Sequence, residues 1–196
     1  MTDLITARGF GLEIIEREVH VILFEQLNNE LDVQEELWYE NDEEFSEKVS
    51  IDLTKTFLEH FPPENFYSGH RPSLLKGGAE NFPNICVMCY AAIPVEDVDQ
   101  TQNWLVDIDI EVMVKSEIGE EDANRKIHRT VEAVNQVMFR NESLNGYSIG
   151  YTGDPDVIIT NIFYQNEEVS HGKEWWWMGA RIGYNIIRHS KLPLGA

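Results

Sequence analysis

Residues 104–114 read WLVDIDIEVMV, and within this run residues 106–112 alternate strictly between apolar and polar side chains. Alternation over this length, with mostly β-branched apolar residues, predicts a strand that is buried on one face only. The apolar set is Val106, Ile108, Ile110, Val112 and Val114, and the opposite set is Asp107, Asp109, Glu111 and Met113. A chain that contains this strand must place a covering layer over one face of a sheet.

A helical period follows within a few residues and predicts that covering layer. Three acids, Glu120, Glu121 and Asp122, crowd the expected first turn, where carboxylates complement the exposed N–H groups. The apolar residues then recur at spacings of three and four, at Ala123, Ile127, Val131, Val134 and Met138. We therefore expect a central amphipathic helix that packs on the sheet.

Two further helices are predicted before the first strand. Residues 12–27 carry an apolar stripe typical of an amphipathic helix. That helix can extend through Leu31 and Leu37, but residues 30–47 hold nine acids and no Lys or Arg, so beyond this point we expect a loop or an insertion. Residues 50–61 predict a short second helix, which Pro62 and Pro63 end.

The remaining segments predict strands and connectors. Residues 62–83 form a connector rich in Pro, Gly, Ser and Asn, and residues 141–155 form a loop. The other strands are expected at 85–93, 157–164 and 175–187, with residues 165–174 joining the last two as a hairpin.

The order of these elements predicts an α+β fold. An antiparallel or mixed β-sheet of about four strands packs against an N-terminal helix and the central helix. We expect a single domain over residues 1–196, with 31–83 as an insertion or connector. The strands do not alternate with helices, and neither a glycine-rich dinucleotide fingerprint nor a phosphate-binding loop is present in the sequence.

The charge balance of the chain argues against some classes of function. The chain has 35 acidic and 15 basic residues, a net charge of −20, whereas a protein that neutralises phosphates needs clusters of Lys and Arg. Such a charge serves solubility in the simplest interpretation, or it keeps a conduit from sticking to a polyanion. No apolar run reaches membrane-spanning length, and two cysteines do not make a secreted disulfide scaffold, so we expect an intracellular protein without a membrane partner.

Two short motifs suggest chemistry that their context does not support. Residues 146–150, GYSIG, match the nucleophile-elbow pattern, but that pattern needs a sharp strand-to-helix turn and a loop is expected here. Cys86 and Cys89 have the spacing of a redox or zinc knuckle. On a strand the two sulfurs would diverge, and the sequence has no second cysteine pair to complete a metal site.

The row formed by Asp107, Asp109 and Glu111 is a candidate for binding a hard cation such as Mg²⁺. A metal-dependent nuclease would use such a row, but the basic group expected at the scissile phosphate is missing nearby. The six histidines are scattered and show no metal-ligand spacing. We therefore predict no catalytic, cofactor or metal residues.

Three consecutive tryptophans, residues 175–177, predict a covered surface. On a strand Trp176 enters the core, while Trp175 and Trp177 stand on the opposite face with Arg181. Exposed paired tryptophans indicate an interface with another chain. The alternative is a cover within the same chain, which the N-terminal helix could provide.

Taken together, these elements resemble the tail terminator or tail-completion proteins of tailed bacteriophages. The likeness covers roughly residues 10–190 and lies in the order of elements: an amphipathic helix, a strand opening at FPNI (82–85), the alternating strand, a helix of the kind ANRKIHRTVEAV (123–134), and a closing hairpin that ends in a long aromatic strand. The family has no catalytic signature to match.

The resemblance implies a structural virion protein in the tail or neck, assembled in the host cytoplasm. Members of the family form a homohexameric ring that caps the tail tube, stops its polymerisation and joins it to the head connector. The implied partners are further copies of the chain, the major tail tube protein and the head–tail connector proteins, while DNA passes through without specific binding.

Within such a ring we expect Asp107, Asp109 and Glu111 to face the lumen or a subunit seam. Trp175, Trp177 and Arg181 would lie in the subunit interface. Two alternatives stay open: a Mg²⁺-dependent nuclease that uses the carboxylate strand, and an acidic protein that mimics DNA and blocks a DNA-binding partner.

Overall fold

The computed structural model describes residues 12–49, 56–68, 82–95, 102–141, 143–144, 147–150, 161–169 and 173–190. Two α-helices and seven strands lie in this part of the chain, which confirms the predicted α+β class. In chain order they are α1 (Leu12–Val49), β1 (Phe66–Ser68), β2 (Asn84–Val95), β3 (Gln102–Ser116), α2 (Glu120–Arg140), β4 (Ser143–Leu144), β5 (Tyr147–Gly150), β6 (Asn161–Val169) and β7 (Lys173–Ser190).

The alternating strand β3 lies in the middle of a mixed sheet. It pairs antiparallel with β2 on one side and with β7 on the other, where the pairing runs from Gln102 opposite Ser190 to Ser116 opposite Trp176. The short strand β1 adds to β2 in parallel. Beyond β7 lie β6 and the small β4–β5 hairpin, each pairing with a different part of that strand.

One face of the sheet forms the core beneath both helices. The apolar set predicted for β3 is buried there, together with the alternate residues of β7 and two residues of β2. The buried stripe of α2 packs on the same face, and the Tyr184 hydroxyl of β7 donates a 2.5 Å hydrogen bond to Asn135 Oδ1 of α2. The predicted layer of helix on sheet is thus confirmed.

Helix α1 is much longer than predicted, because it continues through the acidic segment to Val49. Its 38 residues span about 57 Å at 1.5 Å per residue. The first part carries a fully buried stripe with a spacing of four: Ile15, Val19, Leu23, Leu27 and Leu31. The expectation of a loop beyond Leu37 is therefore wrong up to Val49.

Cations of α2 pair with two of the acids that were expected to break this helix. The Arg129 guanidinium of α2 binds both carboxylate oxygens of Asp42, at 2.9 and 2.6 Å, and Arg140 pairs with buried Glu30. Gln26 and Asn141 exchange two side-chain hydrogen bonds of 3.3 and 2.9 Å. These contacts join α1 and α2 in antiparallel order, and like-charge repulsion along α1 is offset by cations distant in sequence.

The predicted helix over residues 50–61 is also wrong in its described part, since residues 56–61 are irregular. Side chains of α1 satisfy the backbone of this segment. Asn28 accepts from the Phe61 N–H at 2.8 Å and donates to the Phe61 carbonyl at 3.0 Å. The Glu35 carboxylate accepts from the Leu58 N–H at 2.8 Å. Residues 50–55 lie outside the described residues.

Three smaller departures concern connectors. The 62–83 connector contains a short 3₁₀ turn, Pro63–Asn65, and strand β1. The loop expected at 141–155 contains β4 and β5. The last hairpin has longer strands than predicted, because β6 continues to Val169 and β7 begins at Lys173.

Neither described helix is long and apolar enough to cross a membrane.

Replacing a residue of the α1 stripe tests how this helix is held. We expect Leu27→Ala, at a fully buried position, to lower the free energy of unfolding by about 2–5 kcal/mol through lost burial and cavity formation. Val33→Ala on the same helix, at a position 56% exposed, should change it by less than about 0.5 kcal/mol. Urea unfolding measures both; equal effects would contradict the packing of α1 on the sheet.

Candidate functional site: the carboxylate face of the sheet

The sheet face opposite the helices carries the three acids of β3 beside one cation of β7. Because strands alternate, Asp107, Asp109 and Glu111 all point away from the core. The register places Asn185 opposite Asp107, Gly183 opposite Asp109 and Arg181 opposite Glu111. We call the set Asp107, Asp109, Glu111 and Arg181 the carboxylate face.

Arg181 binds two of these three acids. Its Nε and Nη2 lie 2.9 and 2.5 Å from Glu111 Oε1, and its Nε lies 3.4 Å from Asp109 Oδ2. Gly179 and Gly183 flank Arg181 along the same face of β7, so no side chain stands beside the guanidinium on its own strand. The sequence predictions assigned the acids and Arg181 to separate roles, but the structure brings them together.

Burial makes the Glu111–Arg181 pair the strongest contact of the face. The Glu111 side chain is 6% exposed and the Arg181 side chain 40% exposed. A buried carboxylate without a cation would be costly, and the Arg181 guanidinium offsets that cost at Glu111. Asp109 is 18% exposed at its side chain, and Asp107 is half-buried. The outward charge of the face therefore comes chiefly from its Asp107–Asp109 end.

The other end of the face is apolar. Cys86 and Met113 are buried there, next to Glu111 along the sheet. Half-buried Trp177 lies beside them, and its ring centroid is 6.3 Å from that of Phe82. This side of the sheet thus changes from partly exposed carboxylates at one end to a packed aromatic pair at the other.

The tryptophan triplet divides between the two faces as predicted for a strand. Trp176 packs against the core on the helix side, and Trp177 stands on the carboxylate side. The side chain of Trp175 lies outside the described residues. Helix α1 packs on the core face, so the alternative that this helix covers the outer tryptophans is wrong for Trp177.

The cysteine pair diverges across the strand. Cys86 lies opposite Glu111 on the carboxylate side, whereas Cys89 lies opposite Ile108 on the core side, and the two cysteines form no disulfide. Burial, and then the charge of Glu16, raises the pKa of Cys89 to about 12. A thiol with this pKa is protonated at neutral pH, so it is a poor nucleophile or metal ligand.

The other candidate motifs do not assemble a reactive centre in the described residues. Ser148 lies within strand β5 and pairs with Ser143 and Ile187, so it does not sit on a nucleophile elbow. His20 contacts the Ser68 hydroxyl at 2.9 Å, and His60 contacts Asp32 at 2.7 Å. No group of three or more His, Cys, Asp or Glu side chains suited to a metal ion occurs in this part of the chain.

Sequence reasoning missed the pairing of Arg181 with Glu111. Alternation places each residue on the outer face of its own strand, but the register between β3 and β7 is not encoded locally. The signal in the sequence was Arg181 itself, a cation at an outer-face position of the last strand between Gly179 and Gly183.

No protein-family model matches the chain, and a comparison with curated proteins found no match.

A double-mutant cycle on the Glu111–Arg181 pair tests its energy. Arg181→Met removes the guanidinium from a buried carboxylate and should lower the free energy of unfolding by about 2–4 kcal/mol, less than for a fully buried pair because Arg181 is partly exposed. In the double variant with Glu111→Gln, the loss of unfolding free energy should be about 1–3 kcal/mol smaller than the sum of the losses in the two single variants.

Arg17→Met provides the control, because the Arg17–Glu13 pair is 71% and 73% exposed and should contribute at most about 0.5 kcal/mol. Additive effects at Glu111 and Arg181 in urea unfolding would contradict the contact.

Thiol labelling tests the placement of the cysteines. Because the Cys89 pKa lies about 3 units above that of an ordinary thiol, its thiolate fraction at pH 8 is lower by about a thousandfold. Cys86 is fully buried. We expect native protein to react with a disulfide reagent far more slowly than guanidinium-unfolded protein, and the native rate to keep rising with pH above 9. Rapid labelling of both thiols in native protein at pH 8 would contradict this placement.

Proposed function

We propose that this chain is a structural subunit of a bacteriophage tail: a tail terminator or completion protein that closes as a homohexameric ring on the tail tube and joins it to the head connector. The proposal rests on the family resemblance of the sequence and on a sheet whose described edges invite pairing with neighbours. It requires complementary surfaces and no nucleophile, base or cofactor.

The open edges of the sheet are the observation that carries the proposal. On the outer side of β2, strand β1 pairs only with Ile85, Cys86 and Val87, so within the described residues the stretch from Met88 to Val95 has no neighbour there. At the other margin, the outer side of β6 has no described neighbour over nine residues. Long unpaired edges are a liability for an isolated protein, whereas a closed ring can cover every edge.

The β6–β7 hairpin extends past the body of the sheet. Strand β3 ends at Ser116, opposite Trp176, while β7 begins at Lys173 and pairs with β6 as far as Val169. A projecting hairpin can lie against an adjacent subunit, and its outer edge can add to a neighbouring sheet. Trp177 lies where this projection leaves the body of the sheet, and it is one of the residues predicted to lie in the subunit interface.

The net charge of the chain is consistent with a ring whose channel lets DNA pass. The net charge of −20, repeated around a channel, would repel a polyanion and let it slide. The exposed end of the carboxylate face, Asp107 and Asp109, would contribute where it lines the lumen or a seam.

The two alternatives have weaker support. A nuclease would need the β3 carboxylates available for a cation, but Arg181 already engages Glu111 and Asp109. A DNA mimic would display its acids outward, whereas two acids of α1, Glu30 and Asp42, are held by cations of α2 within the chain.

Mass photometry with and without the tail tube protein of the same phage tests the proposal. We expect a complex of about six times the monomer mass of 22.7 kDa, alone or on the tube ends, and tubes of limited length in its presence. Tubes that keep growing and a chain that stays monomeric with them would contradict the proposal.

A matched pair of variants separates edge pairing from a general charge effect. Asn166→Lys places a cation on the β6 edge and should lower ring formation several-fold, because charged edge residues oppose strand addition. Asn29→Lys makes the same charge change on an exposed position of α1 and should assemble like the wild type. Equal assembly of both variants would exclude the β6 edge as the contact.

A further inference from the structure

The buried stripe of α1 runs out of the core and ends in an open groove. Up to Leu31 the stripe is fully buried, but its continuation at Trp38 and Phe45 is 38% and 52% exposed. These two rings face α2 across a cavity of about 820 Å³, which we call the α1–α2 groove. A cavity of this volume accommodates several side chains of a bound polypeptide or a small ligand.

The Trp38 ring, which lines the groove, is held in place by contacts with Arg129. The Arg129 guanidinium lies 5.2 Å from the Trp38 ring centroid, and its Nη2 binds the Asp42 carboxylate, so the ring and the two helices are held together. Val131 and His128 of α2 line the opposite wall. Because Arg129 is itself 5% exposed, its charge is enclosed by these contacts.

The charged residues that line the groove indicate what kind of ligand it can bind. Among the described residues that line the groove, the cations are Lys48, Arg125 and Arg129, and each already pairs with an acid of the chain: Glu44, Glu121 and Asp42 respectively. Glu132 also lines the groove and adds a carboxylate without a cation, so the lining holds four carboxylates and three cations. The unbalanced charge at the groove is therefore negative.

We propose that the α1–α2 groove binds a basic amphipathic segment of a partner polypeptide. Apolar side chains of the segment would cover Trp38 and Phe45, and its Lys or Arg side chains would meet the surrounding carboxylates. A nucleic acid is a polyanion and is repelled at this surface. The inference goes beyond the ring and holds for the single subunit whether or not a ring forms.

Fluorescence anisotropy with a designed peptide tests this inference on the full chain. The probe is a fluorescein-labelled helical peptide of about 14 residues, with Leu at i, i+3, i+4 and i+7 and Lys at most other positions. We expect saturable binding that weakens several-fold when the salt is raised from about 0.15 to about 0.5 M. Absence of saturable binding would overturn the proposal.

Peptide controls separate the groove from general attraction to an acidic protein. Replacing the Leu residues of the probe by Ser keeps its charge and should weaken binding by about tenfold or more. Replacing its Lys residues by Glu should abolish binding. Equal affinity of the Leu and Ser peptides would show attraction by charge alone and would overturn the proposal.

Two variants of the protein locate the site. Phe45→Ala removes an exposed ring that lines the groove and should lower the affinity for the Leu peptide by about tenfold. Phe139→Ala removes a ring of similar exposure, 57% against 52%, that does not line the groove, and should bind like the wild type. Urea unfolding of both variants verifies that they remain folded. Unchanged affinity in folded Phe45→Ala would overturn the proposal.

Discussion

Burial of one face of β3 and β7 beneath two helices is the constraint on which the rest of the structure depends. β3 is paired along its whole length on the β7 side, so its alternation decides what faces the core and what faces outward. A slip of one residue would put Asp109 in the core and Ile110 outside, an exchange that no neighbouring contact could offset. The same alternation creates the carboxylate face, with Arg181 brought opposite Glu111 by register.

Placement of the few cations explains how such an acidic chain folds. Arg129 and Arg140 of α2 pair with acids of α1, and Arg181 pairs with Glu111 on the sheet face opposite the helices. Lys126, 10% exposed at its side chain, lies between Glu59 and Asp122. These cations are occupied inside the subunit, so the outer surface keeps its negative charge. A partner that binds this surface through charge must bring its own cations, as the α1–α2 groove requires.

Local periodicity predicted the elements whose stability is set by one buried face. The alternating strand, the central helix and the last strand lie within a few residues of their predicted bounds, because each has an apolar stripe of clear period. The second half of α1 was missed because its acids meet partners such as Arg129 far along the chain. Residues 56–61 were misassigned because their apolar side chains, including Phe61, pack without helical hydrogen bonds.

Site geometry was predictable only in part. The outward direction of Asp107, Asp109 and Glu111 follows from alternation, but the contact with Arg181 depends on strand register, which is a tertiary property. The strand edges and the α1–α2 groove likewise arise from packing between distant segments. A sequence pattern identifies which residues share a face, whereas their partners follow from how the faces are assembled.

Cryo-electron microscopy of the chain bound to the end of a tail tube tests the proposed function most directly. The account predicts a closed ring of subunits in which Asp107 and Asp109 lie at the lumen or a subunit seam and the outer edge of β6 contacts a neighbouring copy. A particle in which these acids lie on the outer rim, or in which the chain attaches as a single copy with both sheet edges uncovered, would contradict it.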